Sequence, residues 1–133
     1  MADSDSLVPY AQWLAIKGAF GKGGVPMPFV QEIFLLECHV AGTSHIAGIG
    51  DLADTVPVGE LLAFVRERDN PHDGLAILIC NRDSHKLGYV PQAKNEVLAR
   101  LMDAGKLIFG KVEYSGWKEN WLRIVIKVYM RDL

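Results

Sequence analysis

From Ile33 onward, short apolar runs alternate with polar, glycine- and proline-marked breaks, the rhythm of strands and turns rather than of long helices. IFLLECHVAG (33–42) predicts a first strand, Gly42 to Gly59 a long punctuated loop, and ELLAFVRE (60–67) a second strand. After the polar cluster RDNPHDG (68–74), LAILIC (75–80) is apolar on both faces, as a central strand would be. A turn at Asn81 to His85 leads into a fourth strand, KLGYV (86–90). Pro91 opens a segment in which Val97, Leu98, Leu101 and Met102 recur at helical spacing, with Gly105 as its stop. KLIFGKVEY (106–114) and WLRIVIKVYM (121–130) then predict a closing hairpin around Ser115 to Asn120.

The order is β-β-β-β-α-β-β, with one helix late in the chain. A doubly wound α/β sheet would alternate strands with helices, so the pattern points to a mainly β, six-stranded antiparallel sheet curled into a small or partly open barrel. Residues 1–30 differ. A polar start is followed by a short segment in which Tyr10, Trp13, Leu14 and Ile16 can share one side of a helix, and then by Gly21, Gly23, Gly24, Pro26 and Pro28. They read as an N-terminal arm and linker, leaving 31–133 as the domain.

In the last strand, Leu122, Ile124, Ile126, Val128 and Met130 fall on one face with period two, and that face is core. The other carries Trp121, Arg123, Val125, Lys127, Tyr129 and Arg131. Aromatics interleaved with cations suit a platform that stacks bases and neutralises phosphates, and equally suit a solvent face packed around its aromatics.

The net charge of −2 conceals an asymmetry. Residues 1–73 hold four Lys/Arg against ten Asp/Glu, whereas residues 86–131 hold nine against four. A chain without overall positive charge does not coat a polyanion through bulk electrostatics, so any nucleic-acid contact must be local. With half of the 133 residues apolar, the chain has material for a real core, yet its apolar runs are strand-sized and no membrane partner is expected. MADSDS carries acids where a secretory signal carries bases, which points to the cytoplasm. Cys38 and Cys80 both sit in apolar runs and are expected as buried thiols. His39, His45, His72 and His85 lack zinc-site spacing, and no dinucleotide fingerprint or nucleophile elbow is present, so neither metal nor cofactor is expected.

Residues 62–90 carry motifs that resemble the HIRAN domain: a strand ending in Arg66-Glu67, the turn Asn70-Pro71-His72-Asp73, the strand Ala76-Ile77, and Lys86 with Gly88-Tyr89. The likeness extends upstream to His39-Val40-Ala41-Gly42 and downstream through Pro91 and the helix, over about residues 33–130. It implies a six-stranded barrel related to the SH3-like and OB-like folds, and a non-catalytic module that captures the 3′-hydroxyl end of single-stranded DNA. By position, Asp73 would accept the terminal hydroxyl, with Asn70 and His72 as neighbours and His45 as the residue from the long loop. His45 and His72 stand where DNA-binding members favour tyrosine, and Ser44 where an arginine can precede the first.

The chemistry of these residues fits that implication. An ionised carboxylate only accepts hydrogen bonds, so Asp73 can take one from a sugar hydroxyl and repel a terminal phosphate. Imidazoles can stack on bases, and Lys86 can reach a phosphate. The same residues have structural uses: Asp69, Asn70, Pro71, Asp73 and Gly74 are strong turn chemistry, Arg66 with Glu67 suits a surface strand pair, and Gly88 a close backbone approach. Two other classes of function remain open on the residues alone. Glu67, Asp69 and Asp73 beside His72 are the makings of a Mg2+-dependent nuclease, and an exposed strand edge would suit a protein-interaction or self-association module.

Overall fold

The structure, a computed structural model, describes residues 8–18 and 31–132. The glycine- and proline-rich linker expected before residue 31 lies outside them. Six strands form one antiparallel sheet: β1 (Gln31–His39), β2 (Leu61–Arg66), β3 (Ile77–Cys80), β4 (Lys86–Tyr89), β5 (Leu107–Lys118) and β6 (Trp121–Asp132), in the order β1-β6-β5-β2-β3-β4. The sheet curls until its two ends meet. Ala41, just past β1, exchanges backbone hydrogen bonds with Tyr89 of β4, at 2.7 and 2.8 Å. Gly88 makes that approach possible, because a Cβ there would collide with the Ala41 carbonyl and sit 2.7 Å from Val40 Cγ1.

The predicted strand order holds, and the sheet is more regular than expected at the hairpin. Pairing continues through Gly116–Arg123, Trp117–Leu122 and Lys118–Trp121, which leaves only Glu119 and Asn120 as the turn. The late helix stands where the sequence placed it. Besides the late helix, the long loop holds a 3-10 turn (Thr43–His45), the one-turn helix α2 (Ile49–Leu52) and another 3-10 turn (Ala53–Thr55), while α1 (Tyr10–Gly18) packs outside the barrel. None of these short turns has enough residues to display a helical period in the sequence.

Two apolar clusters result. Leu62, Phe64, Ile77, Ile79, Ile124 and Ile126 pack inside the curl against Leu98 of the late helix, α3 (Gln92–Asp103). On the outside, Val8 and Ile16 cover Ala63, Leu78, Cys80 and Phe109, so β2 and β3 are buried on both faces. Helix α1 docks where β2 has an unused acceptor. The β2–β5 register ends at Ala63, and Gln12 Nε2 donates to the next carbonyl, that of Phe64, at 2.9 Å.

Docking of α1 changes two expectations. Tyr10 and Leu14, placed on the packing side by the sequence, are 77% and 52% exposed, because Gln12, Trp13 and Ile16 turn inward. Tyr129 and Arg131 leave the solvent face of β6. Tyr129 stacks on Phe109 with ring centroids 5.8 Å apart, and buried Arg131 Nη1 donates to the Ala15 carbonyl of α1. Val125 is buried too. In α3 Asn95, Leu98 and Ala99 are buried and Leu101 and Met102 pack against the core as expected, whereas Val97 is 66% exposed. The helix stops as expected: Gly105, with φ +91°, donates to the Met102 carbonyl and Lys106 to that of Leu101, a Schellman closure. Both cysteines are buried thiols, raised by desolvation to about 11 for Cys38 and about 12 for Cys80.

Candidate nucleic-acid interface

The turn after β2 is held by its own side chains. Asn70 Oδ1 accepts from the N–H groups of His72 (2.8 Å) and Asp73 (3.1 Å), an arrangement open to asparagine because its short amide reaches the backbone two and three residues ahead. Asn70 Nδ2 donates to Glu67 Oε1 at 3.0 Å, and the same oxygen accepts the Tyr89 hydroxyl at 2.7 Å. Glu67 thus ties the turn to β4. Burial first, and the hydrogen bond to Glu67 second, push the Tyr89 phenol up to about 12, so it stays protonated and donating.

Asp73 sits at the end of this scaffold with both oxygens fixed. Oδ1 accepts the Leu75 N–H at 2.9 Å, and Oδ2 accepts Asn95 Nδ2 at 2.8 Å. These hydrogen bonds, the backbone one foremost, hold its carboxyl below the usual aspartate value, so it is an anion at neutral pH. The Gln92 side chain also bonds the carboxylate, and these three donors fill fewer than the roughly four acceptor sites of its two oxygens, which leaves it able to accept from a ligand.

Two depressions meet at Tyr89. One, of about 300 Å³, is lined by Asn70, His72, Asp73, Tyr89, Gln92 and Asn95. The other, of about 710 Å³, lies between the long loop and β4 and is lined by His45, Asp51, Leu52, His85, Lys86 and Tyr89. His45 and His72 are exposed on opposite sides of the pair, and His45 stands on a 3-10 turn anchored by the Thr43 hydroxyl, which donates to the Leu122 carbonyl at 2.8 Å. Thus His45, Asn70, His72, Asp73, Lys86 and Tyr89, dispersed over 45 positions of sequence, line two depressions that share Tyr89.

The other residues proposed from sequence lie elsewhere. Arg66, its side chain only 8% exposed, donates to the carbonyls of Ala76 (2.8 Å) and Gly74 (3.0 Å) and pairs with Asp103 of α3, whose carboxyl it lowers. It fastens the turn to the helix and lines neither depression. Trp121, Arg123 and Lys127 sit on the outer face of β6 and line neither depression. The sequence reading missed Asn95 and the scaffolding role of Glu67. Asn95 had a signal, since it lies three residues before Leu98 as a polar residue within the apolar stripe. The acids offered as a Mg2+ site do not converge: Glu67 turns to Tyr89 and Asn70, Asp73 to Asn95, and among the described residues no three His, Cys, Asp or Glu side chains form a metal-ligand group.

Comparison with known proteins agrees with this architecture. The family model of the HIRAN domain matches residues 33–131. A crystal structure of a protein from Lactobacillus plantarum superimposes with a TM-score of 0.72 at 24% identity, covering 78% of this chain and 99% of that one. The crystal structure of the HIRAN domain of human HLTF gives 0.60 at 23% identity, covering 75% and 78%. The NMR structure of the HLTF HIRAN domain in its DNA-bound conformation gives 0.54 at 22% identity, covering 76% and 79%. No curated protein matches the chain. With the family model spanning the barrel from its first strand to its last, the chain belongs to the HIRAN domain family.

Proposed function

We propose that this chain is a non-catalytic DNA-binding module that takes the 3′-hydroxyl end of a single strand into the smaller depression. The observation that carries the reading is Asp73: an ionised carboxylate, oriented by the Leu75 N–H and the Asn95 amide, at the edge of a recess beside His72 and Tyr89. DNA carries anionic phosphates, so an anion is a poor general binder for it and serves best where a strand presents a neutral donor. A terminal hydroxyl is such a donor. His72 and His45 offer flat rings for the last bases, and Lys86 lies along the larger depression where a backbone phosphate would pass. Asn70 acts indirectly, because its amide is committed to shaping the turn.

Membership of the HIRAN family and the DNA-bound conformation solved for the human HLTF domain support a nucleic-acid partner. The test is a fluorescence anisotropy titration of the protein with oligothymidylates identical except for a 3′-hydroxyl or 3′-phosphate end. The hydroxyl end should bind about tenfold or more tightly, since the phosphate both removes the donor and adds like charge. Equal affinities would contradict the reading and favour an interaction module built on the same barrel.

A further inference from the structure

The outer face of β1, β6 and β5 holds a second group of aromatic and cationic side chains that the end-binding reading leaves unused. The register sets them in rows: Lys118 beside Trp121, Gly116 beside Arg123, Tyr114 and His39 flanking Val125, and Lys111 and Glu37 flanking Lys127. Helix α1 covers the lower end of this face at Tyr129 and Arg131 but not the upper part, where Tyr114 and Trp121 are exposed.

Gly116 shapes this upper part. A Cβ placed there would lie 2.5 Å from the Tyr114 hydroxyl oxygen and 2.9 Å from its Cζ, so the tyrosine ring lies across the glycine, along the sheet surface. The Arg123 guanidinium stands 5.7 Å from the centre of that ring, and the Trp121 ring meets His39 edge to face at 6.4 Å. The charge is of one predominant sign. Lys111, Lys118, Arg123 and Lys127 share the face with Glu37 and Glu113, and of these acids Glu113 pairs with Lys127 at 3.5 Å. From Trp121 to Lys127 the strand covers about 20 Å, long enough for several nucleotides. The head of β6 also adjoins the cleft, because Leu122 anchors the turn that carries His45.

We propose that this outer face is a second binding surface for single-stranded nucleic acid, with Tyr114 and Trp121 stacking bases and Arg123 and Lys127 neutralising phosphates of the strand whose 3′ end occupies the cleft. The proposal rests on the reading of the chain as a single-strand binder. Flat aromatic surface paired with mobile cations is the chemistry of sequence-tolerant strand binding. Lys127 and Arg123 would exchange Glu113 and the Tyr114 ring for phosphates.

The experiment measures anisotropy of oligothymidylates of about 15 residues, ending in 3′-hydroxyl or 3′-phosphate, with the parent protein, Tyr114→Ala, Tyr114→Phe and Arg123→Ala, each checked by circular dichroism and sedimentation. Tyr114→Ala should weaken both oligonucleotides by the same factor, roughly fivefold or more, and Tyr114→Phe should restore most of it. Arg123→Ala should flatten the dependence of log affinity on log salt by about 0.7. Unchanged affinity and slope in these variants would overturn the proposal even if the hydroxyl preference stands. Loss of a self-associated species in Tyr114→Ala, with binding intact, would overturn it in favour of self-association. Equal binding of the two ends, with Tyr114 still required, would instead remove the end-binding reading and leave this face as the binding surface.

Discussion

Replacing Glu67 tests whether the candidate site is shaped from beneath by the link between β2, the turn and β4. In Glu67→Ala the Tyr89 hydroxyl and Asn70 Nδ2 both lose their acceptor. A hydrogen bond to a charged group contributes about 1.5 to 3 kcal/mol, and at half-buried positions such as these water recovers part of that. After that discount each bond is worth about 1 to 1.5 kcal/mol, and the two about 2 to 3 kcal/mol together. For a domain of this size that corresponds to a fall in Tm of roughly 6 to 12 °C. Glu67→Gln keeps an oxygen acceptor while removing the charge and should cost about half as much. A second readout isolates the contact from general damage. The Tyr89 phenol, raised to about 12, should titrate lower in both variants yet remain above its ordinary value of 10.0, because burial is the larger cause. Carbon-13 NMR of ring-labelled tyrosine follows it directly. A Glu67→Ala protein as stable as the parent, with the Tyr89 titration unmoved, would refute the idea that Glu67 organises the turn.

Gly88→Ala should open the barrel where its ends meet, since the added methyl collides with the Ala41 backbone; a loss of about 3 kcal/mol, read as a lower urea midpoint, is expected. Ile16→Ala should cost about 2 to 4 kcal/mol by uncovering Phe109 and Leu78, and a loss below about 0.5 kcal/mol would show that α1 is not part of the cooperative unit. Asp73 and Asp103 both have depressed folded-state values, so the stability they contribute is complete above the ordinary aspartate value of 3.8 and is lost as pH falls through the folded values. Asp73→Asn and Asp103→Asn should therefore lower the urea midpoint at pH 7 and converge on the parent in acid; a difference independent of pH would contradict the assigned hydrogen bonds.

The strands were legible because each buries a regular set of side chains, and LAILIC announced its two covered faces by being apolar throughout. Gly88 and Gly105 were legible as well, since the lack of a side chain at a close approach or a helix stop is a local signal. What the sequence concealed is what depends on packing from outside the barrel. Period two places Tyr129 and Arg131 with Trp121 and Arg123, and only the docked helix, more than 100 residues away in sequence, separates a covered half of that face from an open one. Tyr10 and Leu14 misled for a related reason: a short helix with apolar residues on several sides does not reveal which side meets the sheet. The candidate site was readable in its turn chemistry and family likeness, yet the partners that orient it, Tyr89 on Glu67 and Asn95 on Asp73, each lie 22 residues away and become visible only when β4 and α3 close over the turn.

The central claim concerns one carboxylate, and the ratio of affinities for 3′-hydroxyl and 3′-phosphate ends measures it most directly, in the parent protein and in Asp73→Ala. The parent should favour the hydroxyl end about tenfold or more. Asp73→Ala, with circular dichroism confirming the fold, should bring the ratio close to one while keeping the affinity that belongs to the strand backbone. A parent protein without preference, or a preference that survives the loss of Asp73, would contradict the account.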